Sequence, residues 1–188
     1  TLGLDENKNT LLVFGGSQGA RGLNSAALPA VKKFLDSNTD FQVLYLTGRA
    51  NFDEAQKAYG ALQNLHLKPY LQEMQLAYAA ADLVISRAGA STLTELYALK
   101  KPAILVPLPR VSANHQTKNA RIFSAAGAAV LLAENPGLEK ELLTKLREIA
   151  GNPEVLEAMA KACGKIGLPD PLKAADALAE LAETLARR

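Results

Sequence analysis

The stretch DLVISRAGASTLTELYALKKPAILVPLP, residues 82–109, decides the fold. Its ends, DLVISRAG (82–89) and PAILVPLP (102–109), each carry a continuous apolar run, the pattern of a strand buried on both faces of a parallel sheet. Between them, STLTELYALK (91–100) reads as a helix. Strand, helix and strand in this order make a parallel β-α-β unit. The join between the first strand and the helix lacks bulk. After Ser86 and Arg87 come Gly89, Ala90, Ser91 and Thr92, and Glu95 follows one helical turn after Ser91.

Outward from this unit the alternation continues. TLLVFGG (10–16), FQVLYLTG (41–48) and AAVLLAE (128–134) read as strands, and NLHLKPYL (64–71) as a weaker one because of Pro69. Helices are expected over LNSAALPAVKKFLD (23–36), from about Asn51, and over QEMQLAYAAA (72–81) and QTKNARIFSAAG (116–127), the last ending on Gly127. Pro29 is expected to bend the first of these or to mark its first turn. After Pro136 the pattern is helical only: three helices separated by GNP (151–153) and GLPDP (167–171). The last presents Ala174, Leu178, Leu181, Ala182 and Leu185 as an apolar stripe. The fold class is therefore α/β, a doubly wound, Rossmann-like parallel sheet with a helical C-terminal tail. Residues 1–9 read as the end of a linker, 10–135 as the core and 136–188 as helices packing on it, which suggests a piece of a larger protein.

Composition narrows the function. With 188 residues, 48% of them apolar, the chain can bury a sizeable core. A formal net charge of +2 gives no field for nucleic acid or an anionic membrane, and 5% aromatics are too few for base-stacking platforms. The single cysteine, Cys163, forms no internal disulfide and suits a reducing cytoplasm. No apolar run reaches membrane-spanning length, and the polar start TLGLDENKNT is not a signal peptide.

In an open parallel sheet, ligands bind beyond the carboxyl ends of the strands. Three joins there carry chemistry. In GGSQGARGLN (15–24), Gly15, Gly16 and Gly19 let the backbone approach a ligand, and Ser17 adds a hydroxyl in front of a helix N-terminus; a tight packing turn is the alternative. The join is neither a dinucleotide fingerprint nor a P-loop. At 89–92, Gly89, Ala90, Ser91 and Thr92 leave helix N–H groups open, and Glu95 suits the paired hydroxyls of a ribose. Thr92-x-x-Glu95 is equally a capping box, and Arg87 either faces a phosphate or is a solvated strand-end charge. In PRVSANHQTKNA (109–120), Asn114 is the expected N-cap, with His115 and Gln116 entering the helix side by side, suited to sugar hydroxyls. His66, within a strand, is expected to be structural. There is no D-x-D pair and no His/Cys cluster, so no metal and no cofactor are expected. Together the joins imply a nucleoside diphosphate carrying a polar group, held by helix termini, hydroxyls and arginine.

The residues LLVFGGSQGARGLN, PYLQEMQLAYAAADLVISRAGASTLTELYALKKPAILVPLP and NHQTKNA, in this order and spacing, resemble the MurG family. These bacterial glycosyltransferases add N-acetylglucosamine from its UDP ester to undecaprenyl-diphosphate-muramoyl-pentapeptide (lipid I), forming lipid II for peptidoglycan. The resemblance runs from about residue 10 to the C-terminus. It implies the donor-binding half of a two-domain GT-B fold, with acceptor and membrane contacts on an N-terminal half outside this sequence. It implies a parent enzyme peripheral on the cytoplasmic face of the inner membrane. It places Tyr70 and Leu71 beside uracil and Ser17 at the diphosphate. Ala90, Ser91 and Thr92 fall at phosphate and sugar, Glu95 on the ribose, and His115 and Gln116 on N-acetylglucosamine. Asn114 stands where many relatives have an acid. The reaction implied is an inverting displacement by the muramoyl hydroxyl, with the activating residue on the other half. Another UDP-sugar enzyme of the same architecture (an epimerase or a different glycosyltransferase), a Rossmann oxidoreductase and a non-catalytic binding module are the rival readings.

Overall fold

The computed structural model describes residues 2–16, 19–109, 114–168 and Lys173. Six parallel strands form one sheet: β1 (Asn9–Phe14), β2 (Phe41–Leu46), β3 (Leu65–Lys68), β4 (Leu83–Ser86), β5 (Ala103–Leu105) and β6 (Ala129–Leu131). Their spatial order is β3-β2-β1-β4-β5-β6, so the winding reverses between β1 and β4. That boundary is the switch point at which such sheets hold ligands. The register there is set at the lower end by a reciprocal pair. The Asp82 carboxylate accepts from the Thr10 N–H at 2.7 Å, and the Thr10 carbonyl accepts from the Asp82 N–H at 2.9 Å.

The helices are α1 (Arg21–Leu35), α2 (Phe52–Tyr59), α3 (Met74–Ala80), α4 (Ala90–Ala98), α5 (His115–Ala125), α6 (Leu138–Ala150) and α7 (Pro153–Cys163), with a 3₁₀ turn over Arg49–Asn51. Strand alternation sends side chains to two cores. Leu11, Val13, Val43, Tyr45, Leu83 and Ile85 face Leu23, Ala27, Val31 and Phe34 of α1 and Leu142, Leu146 and Ile149 of α6. Leu12, Phe14, Leu44, Val84 and Leu105 face Ala77 and Tyr78 of α3, Leu93 and Leu96 of α4, and Phe123 of α5. Helix α7 closes the side, giving Met159 to the first core and Ala162 and Cys163 to the second. Each fully buried Leu, Ile or Phe contributes about 1.5–3 kcal/mol.

The expected strand-helix alternation is present throughout the described residues. Strand β3 stops at Lys68, immediately before Pro69, and lies at the sheet edge, where a missing ladder donor is tolerated. Pro29 does not mark the first turn of its helix: it lies well inside α1. The carbonyl that its ring leaves without a donor is that of Ser25, an exposed residue whose backbone water can reach. Residues 2–8 are tied to the sheet, since Gln42 accepts from the Asp5 N–H at 2.9 Å and donates to the Asp5 carbonyl at 2.8 Å. Helices α6 and α7 pack on the core. The stripe expected at Ala174, Leu178, Leu181, Ala182 and Leu185 lies outside the described residues. No described helix is long and apolar enough to cross a membrane.

Candidate functional site

A cleft opens over the carboxyl ends of β1, β2 and β4, at the switch point. Phe14, Leu46, Pro69, Leu71 and Met74 give it an apolar side, and Gly16, Gly48, Tyr70, Tyr78, Ser91, Thr92 and Glu95 complete its walls. Its volume is about 210 Å³. Sites that enclose a drug-sized ligand run to roughly 300–1,000 Å³. A cleft of this size has room for only part of a ligand of that kind. It brings together Gly16, Tyr70, Leu71, Ser91, Thr92 and Glu95 from three separate stretches of sequence. Tyr70 is 45% exposed, and the Arg49 guanidinium lies over its ring, 5.5 Å from the centroid.

Helix α4 begins on this cleft. Gly89 is its N-cap, in extended conformation, and no side chain caps the helix. A Cβ on Gly89 would meet only the Thr92 hydroxyl, at 4.0 Å, so the ground in front of the first N–H groups is open. Ala90, Ser91 and Thr92 form the first turn. The capping box is thereby ruled out, because Thr92 lies inside the helix rather than at its N-cap, and Glu95 is too far along to reach the N-cap backbone. Glu95 has a different partner. The Tyr78 hydroxyl donates to its Oε2 at 2.6 Å, a charge-assisted distance. Burial, and then the Glu95 carboxylate, push the Tyr78 phenol well above its ordinary range, so it stays protonated as a donor.

The glycine-rich join divides its labour. Gly16, at φ +95° and with no neighbour near its would-be Cβ, borders the cleft. Gly15 and Gly19 answer a packing need of the protein itself. A Cβ on Gly15 would fall 2.4 Å from the Ala20 Cβ, and one on Gly19 2.6 Å from the Thr47 carbonyl, so both permit the protein's own close packing. Ser17 lies outside the described residues. Asn24, which sequence reasoning passed over, fixes the join from behind. Its amide donates to the Thr47 carbonyl at 2.8 Å and its oxygen accepts from the buried Tyr45 hydroxyl at 3.1 Å. The available signal was a polar residue among the buried positions of α1, beside Leu23 and Ala27.

Arg87 corrects both sequence expectations. Its side chain is 8% exposed and ion-paired with Glu134, which follows β6. Its guanidinium also donates to the Val106 carbonyl at 3.1 Å and the Pro107 carbonyl at 3.4 Å. It is neither a solvated charge nor a wall of the cleft, because strand alternation sends it to the α1 face of the sheet. The Glu134 carboxylate lies against the first turn of α1: a Cβ on Gly22 would fall 2.1 Å from its Oε1. Among the described residues, then, a carboxylate of the protein already stands at α1, and Arg87 neutralises it.

Helix α5 starts at His115 with Asn114 in the N-cap position. Asn114 takes a left-handed backbone, φ 54°, and makes no side-chain cap bond. His115 is exposed, and the Gln116 side-chain oxygen accepts from the Leu108 N–H at 2.9 Å. Neither lines the cleft; they stand on the strand edge after β5. Among the described residues the Gln116 amide nitrogen donates to no other group. His66, on edge strand β3, is half-buried, and burial lowers its imidazole pKa. Among the described residues no three His, Cys, Asp or Glu side chains cluster to hold a metal.

Residues 10–180 match the family model described as the glycosyltransferase family 28 C-terminal domain. The chain is 38% identical over 183 residues to the Elusimicrobium minutum UDP-N-acetylglucosamine–N-acetylmuramyl-(pentapeptide) pyrophosphoryl-undecaprenol N-acetylglucosamine transferase, covering 97% of this chain and 51% of that protein. It is 40% identical over 191 residues to a Bacillus thuringiensis protein of the same description, covering 100% of this chain and 51% of the relative. Among solved structures, MurG of Acinetobacter baumannii superposes with a TM-score of 0.76 at 29% identity, over 91% of this chain and 51% of that one. The chain thus spans about half the length of the curated relatives it matches. It belongs to the family of glycosyltransferase family 28 C-terminal domains.

Proposed function

We propose that this chain is the donor half of a transferase that moves N-acetylglucosamine from UDP-N-acetylglucosamine to lipid I. The observation that carries the reading is the convergence of Gly16, Ser91, Thr92 and Glu95 on one cleft at the switch point, over an uncapped helix N-terminus. In this reading uracil lies against Tyr70 and Leu71, and Glu95 accepts from the ribose hydroxyls. The diphosphate rests on Gly16 and the Gly89–Thr92 turn, with Ser17 beside it. The sugar runs out toward His115 and Gln116.

The reaction is a displacement with inversion. The acceptor oxygen bonds to the anomeric carbon as the bond from that carbon to the diphosphate oxygen breaks. The electron pair leaves on UDP, and the hydroxyl proton passes to a base on the acceptor half. This chain's part is electrostatic. The N–H groups and partial positive charge at the start of α4 meet the negative charge that grows on the leaving diphosphate. A peripheral position on the cytoplasmic face of the membrane belongs to the same reading.

Calorimetry of this chain with UDP-N-acetylglucosamine, UDP and ADP tests it. The uridine ligands are expected to bind and ADP to bind at least tenfold more weakly. Glu95→Ala is expected to lower UDP affinity about tenfold, the scale of lost hydrogen bonds to a charged group. Equal binding of ADP and UDP would overturn the reading. The chain alone is expected to transfer no sugar to lipid I, and efficient turnover by it would relocate the activating base to this half.

A further inference from the structure

The Tyr78–Glu95 pair sits on the inner wall of the cleft, and the donor-binding reading gives only Glu95 a task. We propose that Tyr78 is a positioning residue that sets the Glu95 carboxylate for paired hydroxyls and so makes the site selective for ribose over deoxyribose. This rests on the donor-binding reading above.

Glu95 lies on the exposed side of α4, where a glutamate is free to sample many rotamers. Tyr78 is the opposite kind of residue. It is 2% exposed, its ring packs edge-on against Phe14 at 5.9 Å, and Phe14 ends the central strand. A hydroxyl fixed to the sheet in this way holds the carboxylate through Oε2 at 2.6 Å. A carboxylate has about four lone-pair sites. Tyr78 takes one, which leaves Oε1 and the remaining site on Oε2 for two neighbouring hydroxyls. Ordering the acceptor before the ligand arrives removes that cost from binding. The gain applies only to ligands with hydroxyls to donate, so it appears as a ratio between ligands. A bystander that merely packs α3 against the sheet would affect all ligands alike.

The test is calorimetry with UDP and with 2′,3′-dideoxy-UDP on the wild-type chain, Tyr78→Phe, Glu95→Ala and the double variant. Phenylalanine keeps the edge contact with Phe14, and thermal unfolding checks that each variant is folded. Tyr78→Phe is expected to weaken UDP about fivefold to tenfold and to leave the dideoxy ligand unchanged, a shift on the scale of ordering one rotamer-rich side chain on binding. In the Glu95→Ala background, Tyr78→Phe is expected to have no further effect, since coupled residues do not add. Equal weakening of both ligands, or a full Tyr78→Phe effect without Glu95, overturns the proposal. So does unchanged discrimination in Tyr78→Phe while Glu95→Ala loses it, and in that case the donor-binding reading stands. A wild-type chain that does not distinguish UDP from its dideoxy form overturns both.

Discussion

Helices α1 and α4 begin in the same way and end up with different tasks. Both follow a central parallel strand through glycine, neither has a side-chain cap, and neither carries an acid in its first turn. By sequence alone each is an anion site. Against α1, however, stands Glu134, paired with Arg87 and seated where only Gly22 leaves room. Against α4 there is open cleft, and Glu95, further along the helix, is tied to Tyr78. A glycine between strand and helix therefore does not by itself mark a ligand. What matters is whether the protein has already placed a charge of its own at that helix end.

The widest break in this comparison is expected from Arg87→Ala. It would leave Glu134 facing α1 without its cation and strip donors from Val106 and Pro107. Removing one member of a buried pair costs about 3–5 kcal/mol, and the partial exposure of Glu134 puts this case near the lower end, about 3 kcal/mol. Urea unfolding of the variant measures it; a loss below about 0.5 kcal/mol would mean that the pair is not a structural element.

Gly89→Asp makes α4 resemble α1. The backbone at Gly89 suits any L-residue and the space is open, so the carboxylate is expected to cap the helix and add a few tenths of a kcal/mol of stability. The same charge is expected to lower UDP affinity by about tenfold to a hundredfold, by filling the site with an anion. Thermal unfolding and calorimetry should thus move in opposite directions, and a variant that keeps its UDP affinity would remove the diphosphate from α4. The mildest change, Gly22→Ala, makes α1 resemble α4 by displacing Glu134. A cost of about 1 kcal/mol is expected in the wild type, turning into a gain of up to about 1 kcal/mol in a Glu134→Ala background, where only helix propensity remains. Denaturant titration of the four chains reads the sign, and the same sign in both backgrounds would contradict the contact.

Much of this was legible along the chain. Continuous apolar runs such as Leu83–Ile85 signal a buried parallel strand, and the break at Pro69 signals an edge. Gly16, Ser91, Thr92 and Glu95, which line one cleft, stand out along the chain because strand ends and small residues at a helix start are local patterns. The capping box failed for the same reason. It is a local pattern too, and the sequence does not say that Gly89 takes the N-cap before Thr92 can. Arg87 and Tyr78 were not legible, since their partners, Glu134 and Glu95, lie on other elements and meet them only after the sheet is ordered. That Gly19 makes room for the Thr47 carbonyl was not legible either, because that neighbour follows the adjacent strand.

The pairing of β1 with β4 has a bearing on how the site comes into being. Thr10 and Asp82, which lock its register, are 72 positions apart. Closing so long a loop is slow relative to local helix and turn formation, because chain entropy is lost before the contact is made. The crevice between these two strands does not exist until they meet. A chain in the early stages of folding can hold every short motif described above and still lack the cleft. Under the donor-binding reading, recognition thus waits on a long-range contact, and UDP present during refolding is expected to favour the chains that have completed it.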